Sequence, residues 1–403
     1  MKDKITTITC KVSPELTRLI IFICAVFLVL MAFDFQNPTL FRKEKVLMDF
    51  DAFYASGRMF WDGTINKAYD YQAFFEAQKS LYDTNGTMLW LYPPQFNLIT
   101  AMLSTLPAGL AYLMFSGITL ALYIFVIRLI SPGYLGSVLL VIFPAILVNI
   151  RNGQNGFLIG AIAGLFFLAF MKCRAVAGIP LGMMIIKPHL AIGMTVLTLA
   201  RKRWSVVGCA ILTVVITTIV TTLVLGSSIW IAFAESVKTT SYFLEMGGFP
   251  LFRMTSIYAT LHKFGVPPAT ALAIQIVVAI IACLAIVIAC SKVKSQKNLI
   301  GITAIASLFV SPYNYDYDLT LLGIATAALL PDIATRAKPF EIFSLLSLSW
   351  FSCGWGFLET WRADLRDMDS EVIPIGPTYA LSSIALVLLT AWALHIIKRV
   401  PRA

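Results

Sequence analysis

The chain has 403 residues, 59% of them hydrophobic and 13% charged, with a formal net charge of +10 and a mean hydropathy of +0.82. A soluble globular domain carries about a quarter of its residues as charges, so this composition excludes that class, and the basic balance does not point to nucleic acid. Seven cysteines, mostly inside apolar runs (Cys24, Cys209, Cys283, Cys290) and with no Cys-x-x-Cys pair, argue against a disulfide framework or a zinc site.

In chain order, Lys2, Lys4, Lys11 and Arg18 flank an apolar run at 16–33. No small-residue cleavage site follows, so the run reads as an uncleaved first span. Stretches at 204–225, 268–290 and 377–397 are also long enough, since a helical span needs about 20 apolar residues. Between apolar runs stand basic clusters: Arg128, Lys172/Arg174, Arg201-Lys202-Arg203, Lys292/Lys294/Lys297, Arg336/Lys338 and Lys398-Arg399. Placing all of them inside with the N-terminus gives about twelve crossings and both termini in the cytoplasm. The predicted fold is therefore all-α, one polytopic helical membrane domain over 1–403. The segment 92–127 must cross an odd number of times, although Leu106-Pro107-Ala108-Gly109 looks like a break. The segment 176–200 reads as a short hairpin with Lys187-Pro188-His189 at its tip.

The largest polar segment, 34–91, is predicted to lie outside. Its aromatic and small residues recur at helical spacing, as expected of short interfacial helices. Outer segments also fall at 227–267 and 359–376, and Asn85-Gly86-Thr87 fits a glycosylation sequon.

Every unusual polar motif falls on the side opposite the basic clusters. Polar residues at membrane depth are costly, so this convergence reads as a site. Asp49 or Asp51 could serve as a general base where an apolar interface raises carboxylate basicity; the plainer alternative is a solvated loop acid. Arg151-Asn152-Gly153-Gln154-Asn155-Gly156 could offer Gln154 and Asn155 to sugar hydroxyls, or be only a turn between spans. Lys187 breaks the positive-inside pattern. With Arg151 and His189 it could hold a phosphate, or it could simply snorkel. Tyr315, Asp316 and Asp318 could hold a sugar by stacking and hydrogen bonding, or belong to an interfacial aromatic belt. Three dispersed histidines carry no metal signal.

These motifs in this order resemble family 87 glycosyltransferases of the GT-C class. The similarity begins at Asp49-Phe50…Phe53-Tyr54-Ala55-Ser56-Gly57-Arg58 and continues through Gly63…Ala68-Tyr69-Asp70 and Tyr92-Pro93-Pro94. It runs on through Gly153-Gln154-Asn155-Gly156, Lys187-Pro188-His189, Met254-Thr255-Ser256 and Ser311-Pro312-Tyr313…Tyr315-Asp316-Tyr317-Asp318. The family includes polyprenol-phosphate-mannose-dependent α-mannosyltransferases. The resemblance implies a GT-C helical fold, an acidic base in the first outer loop and a groove for a prenyl chain. Carried over, the base is Asp49, with Asp51 an additional acid; Tyr54 and Tyr92 join the substrate-binding residues. It implies a cell-membrane hexosyltransferase that takes a polyprenyl-phosphate sugar and a glycolipid or glycan acceptor; no cofactor and no metal ligand is singled out. A transporter or flippase of lipid-linked saccharides is the competing class. It would have two related halves, and no internal repeat is evident.

Overall fold

The computed structural model describes residues 11–38, 45–84, 86–368 and 378–401. Lys2, Lys4, the sequon residue Asn85 and the last part of the outer segment at 359–376 lie outside them. Helices begin and end where proline, glycine and short polar residues stand. Helix α1 (Pro14–Gln36) starts on Ser13, whose hydroxyl accepts from the Leu16 N–H, with Pro14 at the first position. The segment that follows folds into two short amphipathic helices, α2 (Asp49–Trp61) and α3 (Tyr71–Tyr82), the latter capped by the Asp70 carboxylate. Next come α4 (Pro94–Leu103) and α5 (Ala108–Ile130), which part at the expected break.

Helices α6 (Leu135–Val141) and α7 (Phe143–Asn152) meet at a bend of 68°, with Pro144 in the first turn of α7. Then follow α8 (Gly156–Met171), α9 (Gly178–Met183), α10 (Pro188–Ala200), α11 (Trp204–Leu225), α12 (Ser228–Glu245) and α13 (Ile257–Lys263). The chain closes with α14 (Pro268–Lys292), α15 (Gln296–Ser307), α16 (Thr320–Arg336), α17 (Pro339–Met368) and α18 (Ser382–Ile397). All regular structure among the described residues is helical, apart from one isolated β-bridge between Met254 and Tyr315. The protein is a polytopic helical membrane protein. Among the described residues, five helices are long and apolar enough to cross a bilayer: α1, α5, α11, α14 and α16 with its preceding turn; the bent pair α6–α7 would make six. The sequence-based figure of about twelve is larger because it also counts apolar stretches that fold as shorter helices.

The bundle has a dry centre and a lipid-facing rim. Helix α16 is the central element, with Leu321, Ile324, Ala325 and Ala327 buried, whereas α1, α11 and α14 expose Phe22, Leu223 and Ile281. Small residues allow close approach in the centre. A Cβ at Gly160 would meet the Tyr123 ring at 2.7 Å, and the Tyr123 hydroxyl donates to the Thr320 carbonyl at 2.6 Å. Thus α5, α8 and α16 are pinned together.

The basic clusters collect at one end. Lys11 lies over the Tyr134 ring, Lys297 donates to the Ile130 carbonyl and Arg336 to that of Arg399. Arg203 donates to Cys173 Sγ at 2.9 Å, so the arms at 175–186 and 188–200 begin and end side by side, a short hairpin with Lys187 at its tip. Helices α8, α10 and α15 rise from this end for only 16, 13 and 12 residues, about 18–24 Å. The long helices α1, α5 and α14 cover 23, 23 and 25 residues, more than the hydrocarbon thickness of about 30 Å. The short helices therefore span less than the long ones, and we infer that their far ends, where Lys187 meets Asp318, form the floor of a recess.

Candidate active site

Two acidic helix starts of the same design face each other across that floor. Met48-Asp49-Phe50-Asp51 opens α2, and Tyr315-Asp316-Tyr317-Asp318 opens the turn into α16. In each, the second aspartate folds back on the backbone. Asp51 Oδ2 accepts from the Met48 N–H at 2.8 Å, and Asp318 Oδ2 accepts from the Tyr315 N–H at 3.1 Å. Such a carboxylate satisfies a free helix-end donor and complements the helix dipole. Its other oxygen holds a buried lysine: Lys45 lies 2.8 Å from Asp51, and Lys187 lies 2.7 Å from Asp318.

The first aspartate of each start faces elsewhere, because positions two apart on a helix are separated by roughly 200°. Asp316 is fully engaged. Arg253 grips it with Nε at 3.2 Å and Nη2 at 3.1 Å, and the Tyr317 N–H donates to it at 2.9 Å. Asp49 is the exception among the four. Its Oδ2 is enclosed without a hydrogen-bond partner among the described residues. It lies in the field of Arg253 and Lys187, which already serve Asp316 and Asp318. Burial pushes its carboxyl above the ordinary range, and these two cations only partly oppose the shift.

Local backbone chemistry sets this geometry. Gly153 takes a φ of +62° to end α7, and a Cβ there would meet Phe50 Cβ at 2.5 Å. Glycine thus lets the α7–α8 turn pack on the residue after Asp49 and brings Gln154 to it. Gln154 Oε1 accepts from the Tyr92 hydroxyl at 2.6 Å and the Asn155 N–H at 2.8 Å, which leaves its amide group to donate to Asp49. Pro188 supplies the first residue of α10 and has no N–H to satisfy, so the helix starts there and Lys187 sits just before it. The Met254–Tyr315 bridge and the Thr255 N–H donating to the Asn314 carbonyl at 2.7 Å hold Arg253 beside Asp316.

Aromatic rings line one wall. Tyr315 stacks on Tyr317 at 5.0 Å and 12°, with Tyr313 edge-on to Tyr315 at 5.2 Å. Lys187 is 4.5 Å and Arg253 5.7 Å from the Tyr317 ring, so both cations share it. Several buried polar atoms around this wall have no partner among the described residues: both amide atoms of Asn155, His189 Nε2, Thr255 Oγ1 and Asn314 Oδ1.

Of the residues singled out from the sequence, the structure gathers Asp49, Tyr92, Gln154, Asn155, Lys187, His189, Tyr315, Asp316 and Asp318. Three are placed elsewhere. Asp51 is turned to Lys45, which sits in a cage of Phe35 and Tyr82. The Tyr54 hydroxyl donates to the Leu106 carbonyl at 3.0 Å. Arg151 lies over the Phe357 ring at 5.2 Å. The second cation facing Asp49 is Arg253, which sequence reasoning missed. Its signal was adjacency to Met254-Thr255-Ser256 on the side away from the basic clusters, diluted there by Arg58, Lys67 and Lys238. Lys187, which the sequence groups with Arg151 and His189, is instead paired with Asp318.

A family model described as Glycosyltransferase family 87 matches residues 90–312, more than half of the chain. The matched stretch contains Tyr92, Gln154, Asn155, Lys187, His189 and Arg253. No curated protein and no solved structure matches the chain.

Proposed function

The chain belongs to glycosyltransferase family 87, and from that premise we propose that it transfers a hexose, mannose first among them, from a polyprenyl phosphate to a lipid-linked or glycan acceptor at the extracytoplasmic face of the cell membrane. One observation carries this reading: Asp49 is the single carboxylate of the two acidic helix starts without a cation of its own, and it faces two cations and a tyrosine wall. The acceptor hydroxyl loses its proton to Asp49 as its oxygen bonds to the anomeric carbon. The bond from that carbon to the phosphate oxygen breaks, and the electron pair leaves with the phosphate. Lys187 and Arg253 meet the charge that develops there. Asn155 and His189 are suited to sugar hydroxyls, since each keeps a buried polar atom without a partner among the described residues, and the tyrosine wall is suited to a sugar face; Gln154 holds Asp49 beside them. A double displacement would need a second, nucleophilic carboxylate. Asp316 and Asp318 are each held by a cation, which favours one displacement with inversion.

The recess suits such a donor, because a sugar phosphate on a prenyl chain arrives at membrane depth and from the lipid side. Purified protein given a radiolabelled polyprenyl-phosphate hexose and a membrane lipid extract is expected to pass the label to one acceptor, heavier by one hexose. Label carried across a vesicle without transfer would instead establish the transporter. The orientation has its own test, through the exposed Lys67 beside α2. A cysteine at that position should react with an impermeant maleimide on intact cells; reaction only after the membrane is opened would place the recess on the cytoplasmic side.

A further inference from the structure

At the basic end of the bundle, α17 and α18 run antiparallel and leave an open groove of about 640 Å³. Their pairing is fixed at both ends: Trp355 donates to the Tyr379 carbonyl at 2.7 Å, and Arg399 Nη1 lies 2.8 Å from Glu341 Oε1. The groove walls are stripes at helical spacing, Phe340, Phe343 and Ser347 on α17 and Leu388, Trp392 and His395 on α18. A helix normally buries such a stripe against a neighbour, yet Phe340 is 71% and Phe343 66% exposed. The stripes run about 10 Å along each helix from the basic end.

Charge says what covers them. Glu341, the acid at the mouth, is consumed: Arg399 pairs with it and the Lys338 N–H donates to it at 2.7 Å. Lys338, two residues before Phe340, and Lys398, one turn beyond His395, are exposed and have no ion-pair partner among the described residues. An apolar helix laid in the groove would fill the walls and leave both ammonium groups unmatched. A lipid with an anionic phosphate head satisfies both parts, with an acyl chain along the stripes and the head at the lysines.

We propose that this groove binds an anionic phospholipid from the leaflet on the basic side. The inference rests on the membrane fold and is independent of the transfer chemistry. Trp392 lines the groove and serves as the probe. Wild type and Trp392→Phe are reconstituted in vesicles of equal phosphatidylglycerol and phosphatidylcholine, with one lipid brominated at a time. The difference in quenching between the two proteins isolates Trp392. Brominated phosphatidylglycerol is expected to occupy the groove roughly tenfold more than brominated phosphatidylcholine, given two basic residues at the head. Lys338→Ala combined with Lys398→Ala should abolish that preference while quenching by phosphatidylcholine remains. Equal quenching by both lipids in the wild type would reduce the groove to ordinary lipid contact and overturn the proposal. No quenching by either, with a dimer mass by light scattering, would overturn it in favour of a second copy of the chain.

Discussion

Asp49→Asn is expected to cut turnover by about 10²–10⁴-fold, the usual worth of a general base, while donor affinity stays near the wild-type value. Asparagine keeps the shape and can still meet Gln154, but it cannot take a proton from the acceptor. Because burial raises the Asp49 carboxyl, the acid limb of the wild-type rate profile should lie above the ordinary carboxylate value near 3.9, and activity should fall as pH drops through it. The stability sign is opposite. A carboxyl raised in the folded state binds more protons there than in the unfolded chain, so it favours the fold at low pH. That contribution fades as pH rises from the ordinary value through the raised one. At neutral pH the buried charge is a cost, and Asp49→Asn should therefore melt no lower than the wild type. Loss of turnover with undiminished stability marks a residue kept for chemistry. A wild-type pH profile in Asp49→Asn would sink the assignment.

Lys187→Met should have the second-largest effect, a loss of about 10²–10³-fold in turnover, the size seen when one electrostatic donor to a developing anion is removed. It also strands Asp318, which is buried and, among the described residues, otherwise accepts from the Tyr315 N–H alone. Leaving one half of a buried pair uncompensated costs about 3–5 kcal/mol of stability, so the single variant alone cannot separate chemistry from folding. Adding Asp318→Asn removes the stranded charge. The double variant is expected to regain most of the melting temperature and none of the turnover, while Lys187→Arg keeps part of both. Wild-type turnover in the double variant would make Lys187 a structural partner of Asp318 and nothing more.

Much of the site could be read from the sequence because membrane proteins place polar residues at depth sparingly. Gln154, Lys187 and the Tyr315–Asp318 run stood out against apolar surroundings, Asp49 was singled out by the family resemblance, and the structure brings them together. What could not be read is pairing. Asp49 and Asp51 look equivalent in one dimension, and only the helix turn sends one to the recess and the other to Lys45. Asp316 and Asp318 looked like sugar ligands; each instead holds one of the two cations in place. Arg253 lies 63 residues from its partner and needed the Met254–Tyr315 bridge to reveal it. Arg151, at the C-terminal end of α7, swings onto Phe357. The helix count was least legible, since a run of apolar residues gives no sign of whether it crosses fully or stops at a recess.

The four aspartates allow one decisive comparison. Asp49→Asn, Asp51→Asn, Asp316→Asn and Asp318→Asn are purified side by side, and melting temperature, donor affinity and hexose transfer are measured on each. Asp51, Asp316 and Asp318 hold buried cations, so their variants should melt lower, with transfer falling in step with the folded fraction or with displacement of the cation. Asp49→Asn alone should keep its stability and donor affinity and lose transfer. Transfer at the wild-type rate in Asp49→Asn, or its loss in Asp51→Asn with stability intact, would contradict the assignment of the free carboxylate as the base.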